Sequence, residues 1–146
     1  MASVKTLGRL QKIREYKKEE IEIEFKKVLL ELRRQEEELD ALHSMMAKTI
    51  VRMNEKQIKG FSNVYELSLY YDYIETLNKF IDKQKIIVSK LTELFEEKKS
   101  ELLEAYKEVK TIEILKDKII SDERKNEDRR VQKELDYVYL SRLPRD

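Results

Sequence analysis

The chain has no cysteine and no tryptophan, and only one proline and two glycines among 146 residues. Without cysteine there is no disulfide framework and no thiolate chemistry, which fits a reducing cytosol. Chain reversals draw on glycine, proline and asparagine, so a chain this poor in glycine and proline turns back once or twice at most. Long apolar runs are missing as well. No stretch approaches the ~20 residues of a membrane span, and Met1–Leu10 lacks the apolar core of a secretory signal. There is no glycine-rich phosphate loop, so nucleotide hydrolysis is not expected. The single histidine, His43, cannot form a zinc site alone and reads as a surface residue beside the helix seam. No catalytic residue, cofactor or metal is expected, and the chain reads as a non-enzyme.

What is present is charge and helical rhythm. Charged residues make up 42% and hydrophobic residues 40%, with a net charge of +1, so nothing calls for nucleic acid. The charge is uneven: Lys5, Arg9, Lys12, Arg14, Lys17 and Lys18 stand near the N-terminus against one acid, Glu15. From Ile21 the apolar positions alternate in steps of four and three: Ile21, Phe25, Val28, Leu32, Gln35, Leu39, Leu42, Met46, Thr49, Met53. This is a heptad seam with Phe25 at position a. Upstream, Leu7 fits that phase, but Gln11 and Arg14 take the next seam positions while Leu10 and Ile13 fall off it. That reads as a stutter, or as fraying near the terminus.

The spacing predicts a first helix over about 6–57. The break is Lys59-Gly60-Phe61-Ser62-Asn63. Gly60 suits the left-handed residue after a helix, Ser62 or Asn63 can cap the next one, and Glu66 stands three after Asn63 as in a capping box. A second helix is expected over about 64–139, with a flexible C-terminus over 140–146 closed off by Pro144. Its seam runs Leu67, Tyr70, Ile74, Leu77, Ile81, Gln84, Val88, Leu91, Phe95, Lys98, Leu102, Ala105, Val109, Ile112, Lys116, Ile119. The fold class is therefore all-α: a single domain over 1–146 made of two long helices in an antiparallel coiled-coil hairpin. With the turn centred near Ser62, Leu42 would meet Ile81, Leu39 would meet Gln84 and Gln35 would meet Val88. The two glutamines would fall in neighbouring layers, and Lys98 would lie beside Phe25 with its charge reaching water.

In this register the first helix ends opposite about residue 118, and the second continues as an overhang of about 30 Å without an intramolecular partner. Ser121–Arg130 is almost wholly polar. Val131, Leu135 and Val138 then restore helical apolar spacing, with Tyr137, Tyr139 and Leu140 nearby. This tail is expected to fray when free and to order when bound. A further apolar stripe lies outside the seam at position g: Tyr73, Phe80, Ile87 and Leu94, ending before Glu101 and Glu108. Met45 and Ile50 add to it from the first helix. Such stripes mark contact surfaces. A partner protein, a homodimer burying the stripes as a four-helix bundle, and a widened intramolecular seam are the three explanations.

The basic first helix, the single reversal near Gly60, the long second helix and the run Glu127-Asp128-Arg129-Arg130-Val131-Gln132-Lys133-Glu134-Leu135-Asp136 resemble the FliJ family of flagellar type III export proteins. The resemblance spans nearly the whole chain, and Gln-Lys-Glu-Leu-Asp is its most specific element. It implies a non-enzymatic export component that resembles the stalk of rotary ATPases. The end carrying both termini would sit in the export ATPase hexamer, and the middle of the hairpin would touch the cytoplasmic domain of the export gate protein. Export chaperones are further partners implied. By position, the resemblance assigns Lys5, Arg9, Lys12, Arg14, Val131, Leu135 and Tyr139 to the ATPase. It assigns Leu42, Met45, Met46, Tyr73, Leu77 and Phe80 to the gate, with Ile87 and Leu94 continuing the stripe. A cytoplasmic monomer, peripherally associated with the inner membrane at the flagellar base, is the form implied. The alternatives are a self-associating structural coiled coil and a prefoldin-like holdase; residues 57–63 are too short for the β-hairpin region the latter needs.

Overall fold

The computed structural model describes residues 4–61 and 63–144. Two helices, α1 (Val4–Lys59) and α2 (Val64–Ser141), pack against each other, and no strand occurs among the described residues. Gly60 adopts φ +90°, the left-handed conformation expected of it after α1. Asn63 caps α2: its Oδ1 accepts the Glu66 backbone N–H at 2.8 Å. The alternative cap at Ser62, and the turn centre assumed there, lie outside the described residues. The Glu66 carboxylate also meets Lys56 Nζ of α1 at 3.0 Å, and this pairing raises the Lys56 pKa above its ordinary value. Phe61 packs edge-on to Tyr70, 6.0 Å between ring centres.

The chain divides into two compact units, residues 22–101 and residues 1–21 with 102–146. In the first, which holds the turn, Leu32, Leu77 and Ile81 are the buried apolar core, joined by Gln35, Thr49 and Gln84. Burying a polar side chain costs free energy unless its hydrogen bonds are met. Here they are met. Gln84 Nε2 donates to both the backbone carbonyl and the side-chain Oε1 of Gln35, at 2.9 and 2.6 Å. Gln35 Nε2 in turn donates to Glu31 Oε1 at 2.9 Å, and Arg34 clamps the same carboxylate with two bonds of 2.7 and 3.1 Å. Arg34 first and Gln35 second hold the Glu31 pKa below its ordinary value. Thr49 returns its hydroxyl to the Met45 carbonyl one turn back, at 2.7 Å. The glutamines expected in neighbouring layers are thus directly bonded, because a glutamine side chain is long enough to reach diagonally across the seam.

Two details add to the spacing-based expectation. Phe25 stacks on Phe95, with ring centres 5.1 Å apart. Lys98 does not simply lead its charge to water; its Nζ lies 3.0 Å from Glu24 and 3.3 Å from Glu101. The bonds to Glu24 and then Glu101 raise the Lys98 pKa.

In the second unit the heptad phase continues to the start of α1. Leu7 is buried, and Gln11, Arg14 and Lys18 are half-buried on the seam face, whereas Ile13 is 63% exposed. The stutter or fraying expected here does not occur. Long polar side chains fill the seam positions with their stems and find partners at their tips. Arg14 Nη1 pairs with Glu108 at 2.9 Å, Lys116 Nζ donates to Gln11 Oε1 at 3.4 Å, and Lys18 Nζ stands 5.1 Å over the Tyr106 ring. Ala105, Val109 and Ile112 of α2 are buried beneath them.

Past Ile119 every described residue of α2 is exposed, yet the helix runs to Ser141. Extending an existing helix avoids the cost of nucleating one. Local pairs support it: Arg130 with Glu127 at 2.6 Å and Gln132 with Asp136 at 3.0 Å. It closes in tighter turns, Arg142 N to Tyr139 O and Leu143 N to Leu140 O, before Pro144.

Two outcomes follow from this packing. Gln84→Ala leaves Gln35 Oε1 without its donor and should destabilise the chain by about 1–3 kcal/mol in urea unfolding. The double replacement Gln35→Leu with Gln84→Leu should recover that loss but broaden the distribution of registers or oligomers, read by sedimentation velocity. The second outcome concerns pH. Because the Lys98 pKa is raised on folding, its contribution is fully present below the ordinary lysine value and is lost as pH rises through the raised one. Lys98→Gln should therefore lessen the fall in melting temperature on the alkaline side.

Candidate partner-binding surfaces

Chemistry on a substrate needs groups that converge in a site shielded from water. Among the described residues no three His, Cys, Asp or Glu side chains gather to hold a metal ion. His43 lies exposed on α1. Three clefts among the described residues are open grooves of about 330 to 470 Å³ beside helix faces, edged by lysine, arginine and glutamate side chains. None aims an unpaired buried polar atom at a ligand: every buried side-chain nitrogen or oxygen among the described residues has a partner. The candidate sites are therefore surfaces.

The stripe in the turn-bearing unit is at the surface. Tyr73, Phe80, Ile87 and Leu94 are 36–52% exposed, and Met45 is 48% and Ile50 41%. A side chain at this exposure has one flank packed and one flank free. Its rotamer is already restricted, so a partner that covers it loses less entropy than it would in ordering a free side chain. Position g sits beside the seam, which explains the half-packing. Leu42 and Met46 lie on the seam and are only partly accessible. Leu77 is 3% exposed. It belongs to the core between the helices and supports the stripe from beneath, so it offers no surface of its own to a partner.

Sequence spacing missed some of the exposed apolar surface of this unit. Ile23 and Leu30, one heptad apart on the face of α1 away from the seam, are 56% and 65% exposed. Ile58, Val64, Tyr65 and Leu69 stand exposed beside the turn. The signal was present, because 23 and 30 both fall at position f, where a two-stranded coil has no use for a large apolar side chain.

The other unit carries the basic residues and the overhang. Lys5, Arg9 and Lys12 recur at helical spacing on one face of α1 and are exposed. Arg14 differs: its guanidinium is held by Glu108 on the seam. On α2, Val131, Leu135, Val138 and Tyr139 follow the i, i+4, i+7, i+8 pattern of a single apolar face, all of it open to solvent. That face does not continue the seam. The seam positions of the overhang hold Glu123, Asn126, Arg130 and Lys133 before Tyr137 and Leu140, and Val131 and Val138 stand one heptad position after an a residue, about 100° around the helix. No helix among the described residues is long and apolar enough to cross a membrane.

The arrangement is that of a scaffold with one half-buried aromatic and aliphatic stripe and one charged, partly unpartnered end. Neither a curated protein nor a solved structure matches the chain. The family model described as flagellar FliJ protein matches residues 3–142, and the chain therefore belongs to the FliJ family, non-enzymatic components of the flagellar export apparatus.

Proposed function

We propose that the chain links the export ATPase to the export gate. In this reading the export ATPase hexamer grips the basic start of α1 and the overhang of α2. The stripe Tyr73, Phe80, Ile87 and Leu94, with Met45, docks on the cytoplasmic domain of the gate protein. Export chaperones are handed on by the same scaffold, which works in the cytoplasm, peripherally associated with the inner membrane at the flagellar base.

The observation that carries the reading is the overhang: a helix continuing to Ser141 with every residue past Ile119 exposed, and an apolar face formed by Val131, Leu135, Val138 and Tyr139. A helix with an apolar face and no mate is stabilised by the partner that covers it. The exposed cations Lys5, Arg9 and Lys12 add attraction toward an acidic rim, which speeds encounter more than it tightens the complex. Binding at this end can raise the ATPase's turnover by favouring its assembled hexamer, which requires only that the hexamer bind the chain better than free subunits do.

The test is the hydrolysis rate of the cognate export ATPase with and without stoichiometric protein. The expected result is stimulation. Val131→Asp with Leu135→Asp should abolish it while far-UV circular dichroism stays unchanged, because neither side chain packs within the chain. Tyr73→Glu with Phe80→Glu should weaken binding to the gate's cytoplasmic domain about thirtyfold or more, as for central interface anchors, and spare the stimulation. An ATPase rate indifferent to the protein would count decisively against this reading.

One observation favours a second reading. The stripe is long enough to be covered by another copy, which would give a four-helix bundle. Sedimentation equilibrium at tens of micromolar separates the two, with a monomer expected.

A further inference from the structure

The unit formed by residues 1–21 and 102–146 is built with a mismatch across its seam. On the α2 side Ala105, Val109 and Ile112 are 4–6% exposed, as well buried as the core of the turn-bearing unit. On the α1 side the seam presents Val4, Leu7, Gln11, Arg14, Lys18 and Ile21, and the three consecutive positions in the middle, Gln11, Arg14 and Lys18, are polar. In the turn-bearing unit the same seam of α1 presents Phe25, Val28, Leu32, Leu39, Leu42 and Met46, broken by one glutamine and one threonine.

The contacts that hold the polar side chains are of the kind solvent weakens. The Arg14–Glu108 pair spans 2.9 Å, but its side chains are 36% and 41% exposed. Gln11 is held through Lys116 at 3.4 Å, and Lys18 by the face of Tyr106 at 5.1 Å. Exposed ion pairs contribute little and are screened by salt. The cover also fits loosely. An open cleft of about 330 Å³ runs between Leu10 and Arg14 on one side and Glu108 and Ile112 on the other, and another of about 470 Å³ lies among Lys18, Tyr106 and Val109. Within 4–21 six basic residues stand against three acids, Glu15, Glu19 and Glu20, so the segment carries a net positive charge that an acidic surface attracts.

We propose that residues 4–21 of α1 are a releasable strap, which opens from α2 while the rest of the hairpin stays closed and in doing so bares the apolar stripe Leu102, Ala105, Val109 and Ile112. The inference rests on the packing of this chain alone and holds whichever partner takes this end. α2 does not need the strap to remain helical, since it is helical over the whole overhang without one. Opening and closing therefore switches the length of uncovered α2 between two values, the overhang alone or the overhang extended back to Leu102.

The absence of cysteine makes the test clean, because a single introduced thiol reports its own accessibility. Full-length Ala105→Cys places that thiol under the strap, and Thr49→Cys places one on the buried seam of the other unit. With a soluble maleimide, Ala105→Cys should react at least about tenfold faster than Thr49→Cys, as expected when local opening replaces global unfolding. Raising salt from millimolar to molar should widen the ratio. Gln11→Leu, Arg14→Leu and Lys18→Leu together should make the seam apolar and slow the reaction at position 105 by about tenfold or more. Hydrogen exchange of the unsubstituted chain provides an independent readout: amides of 4–21 should exchange faster than those of 25–53, with 102–118 still protected. Equal reaction rates at the two thiols, or a rate at 105 that the leucine substitutions leave unchanged, would overturn the proposal, since the latter means ordinary end fraying. Exchange at 102–118 as fast as at 4–21 would overturn it too, because the unit would then be melting as a whole.

Discussion

In the turn-bearing unit the position of α1 against α2 is held by one buried amide. Gln84 donates to the backbone and the side chain of Gln35, and Gln35 is itself oriented by Glu31 and Arg34. Apolar side chains in a heptad seam are nearly interchangeable, so a slip of one heptad would still bury leucine against isoleucine. It would not return Gln84 to a carbonyl and an amide oxygen, and a buried amide left unpaired costs about 1–3 kcal/mol. The position of the stripe, and of any surface that combines side chains from both helices of this unit, follows from that bond. The clasp at the turn, from Asn63 to Glu66 and from Glu66 to Lys56, acts in the same direction but lies at the surface and is correspondingly weaker.

The two units use the same heptad for different ends. Around Gln35 and Gln84 the polar residues are few and fully satisfied, and the apolar remainder supplies the cohesion. At Gln11, Arg14 and Lys18 three consecutive α1 seam positions are polar, and cohesion there comes from side-chain stems and partly exposed charges. Charge that weakens the seam is also charge available to a partner. Lys5, Arg9 and Lys12 are exposed on the surface, while Arg14 is held on the seam by Glu108. FliJ membership gives this division a use, since an export component works through the proteins it meets.

Much of this is legible in the amino-acid sequence. The heptad positions named from spacing, including polar ones such as Gln35, Lys98 and Lys116, all lie shielded or half-shielded, because a period of 3.5 constrains where each Cβ points however polar the residue is. The stripe at Tyr73, Phe80, Ile87 and Leu94 was legible for the same reason. What spacing could not supply was the reach of long side chains. It placed Gln35 and Gln84 in adjacent layers without showing that they bond, and it left Lys98 to water when two glutamates were near. It also took Arg14 as a break in the seam, because hydropathy scores the guanidinium and ignores the stem. Leu77, which the family resemblance carries over to the gate, is buried in the core, where its seam position puts it.

The rotation of the overhang's apolar face has a steric meaning. Val131 and Val138 sit about a quarter-turn and more around α2 from the line along which α1 lies. A protein seated on that face approaches α2 from the flank, in a sector that α1 does not occupy, so it need not compete with α1 for room. Occupancy of the overhang and closure of the hairpin are therefore compatible in the same molecule at the same time.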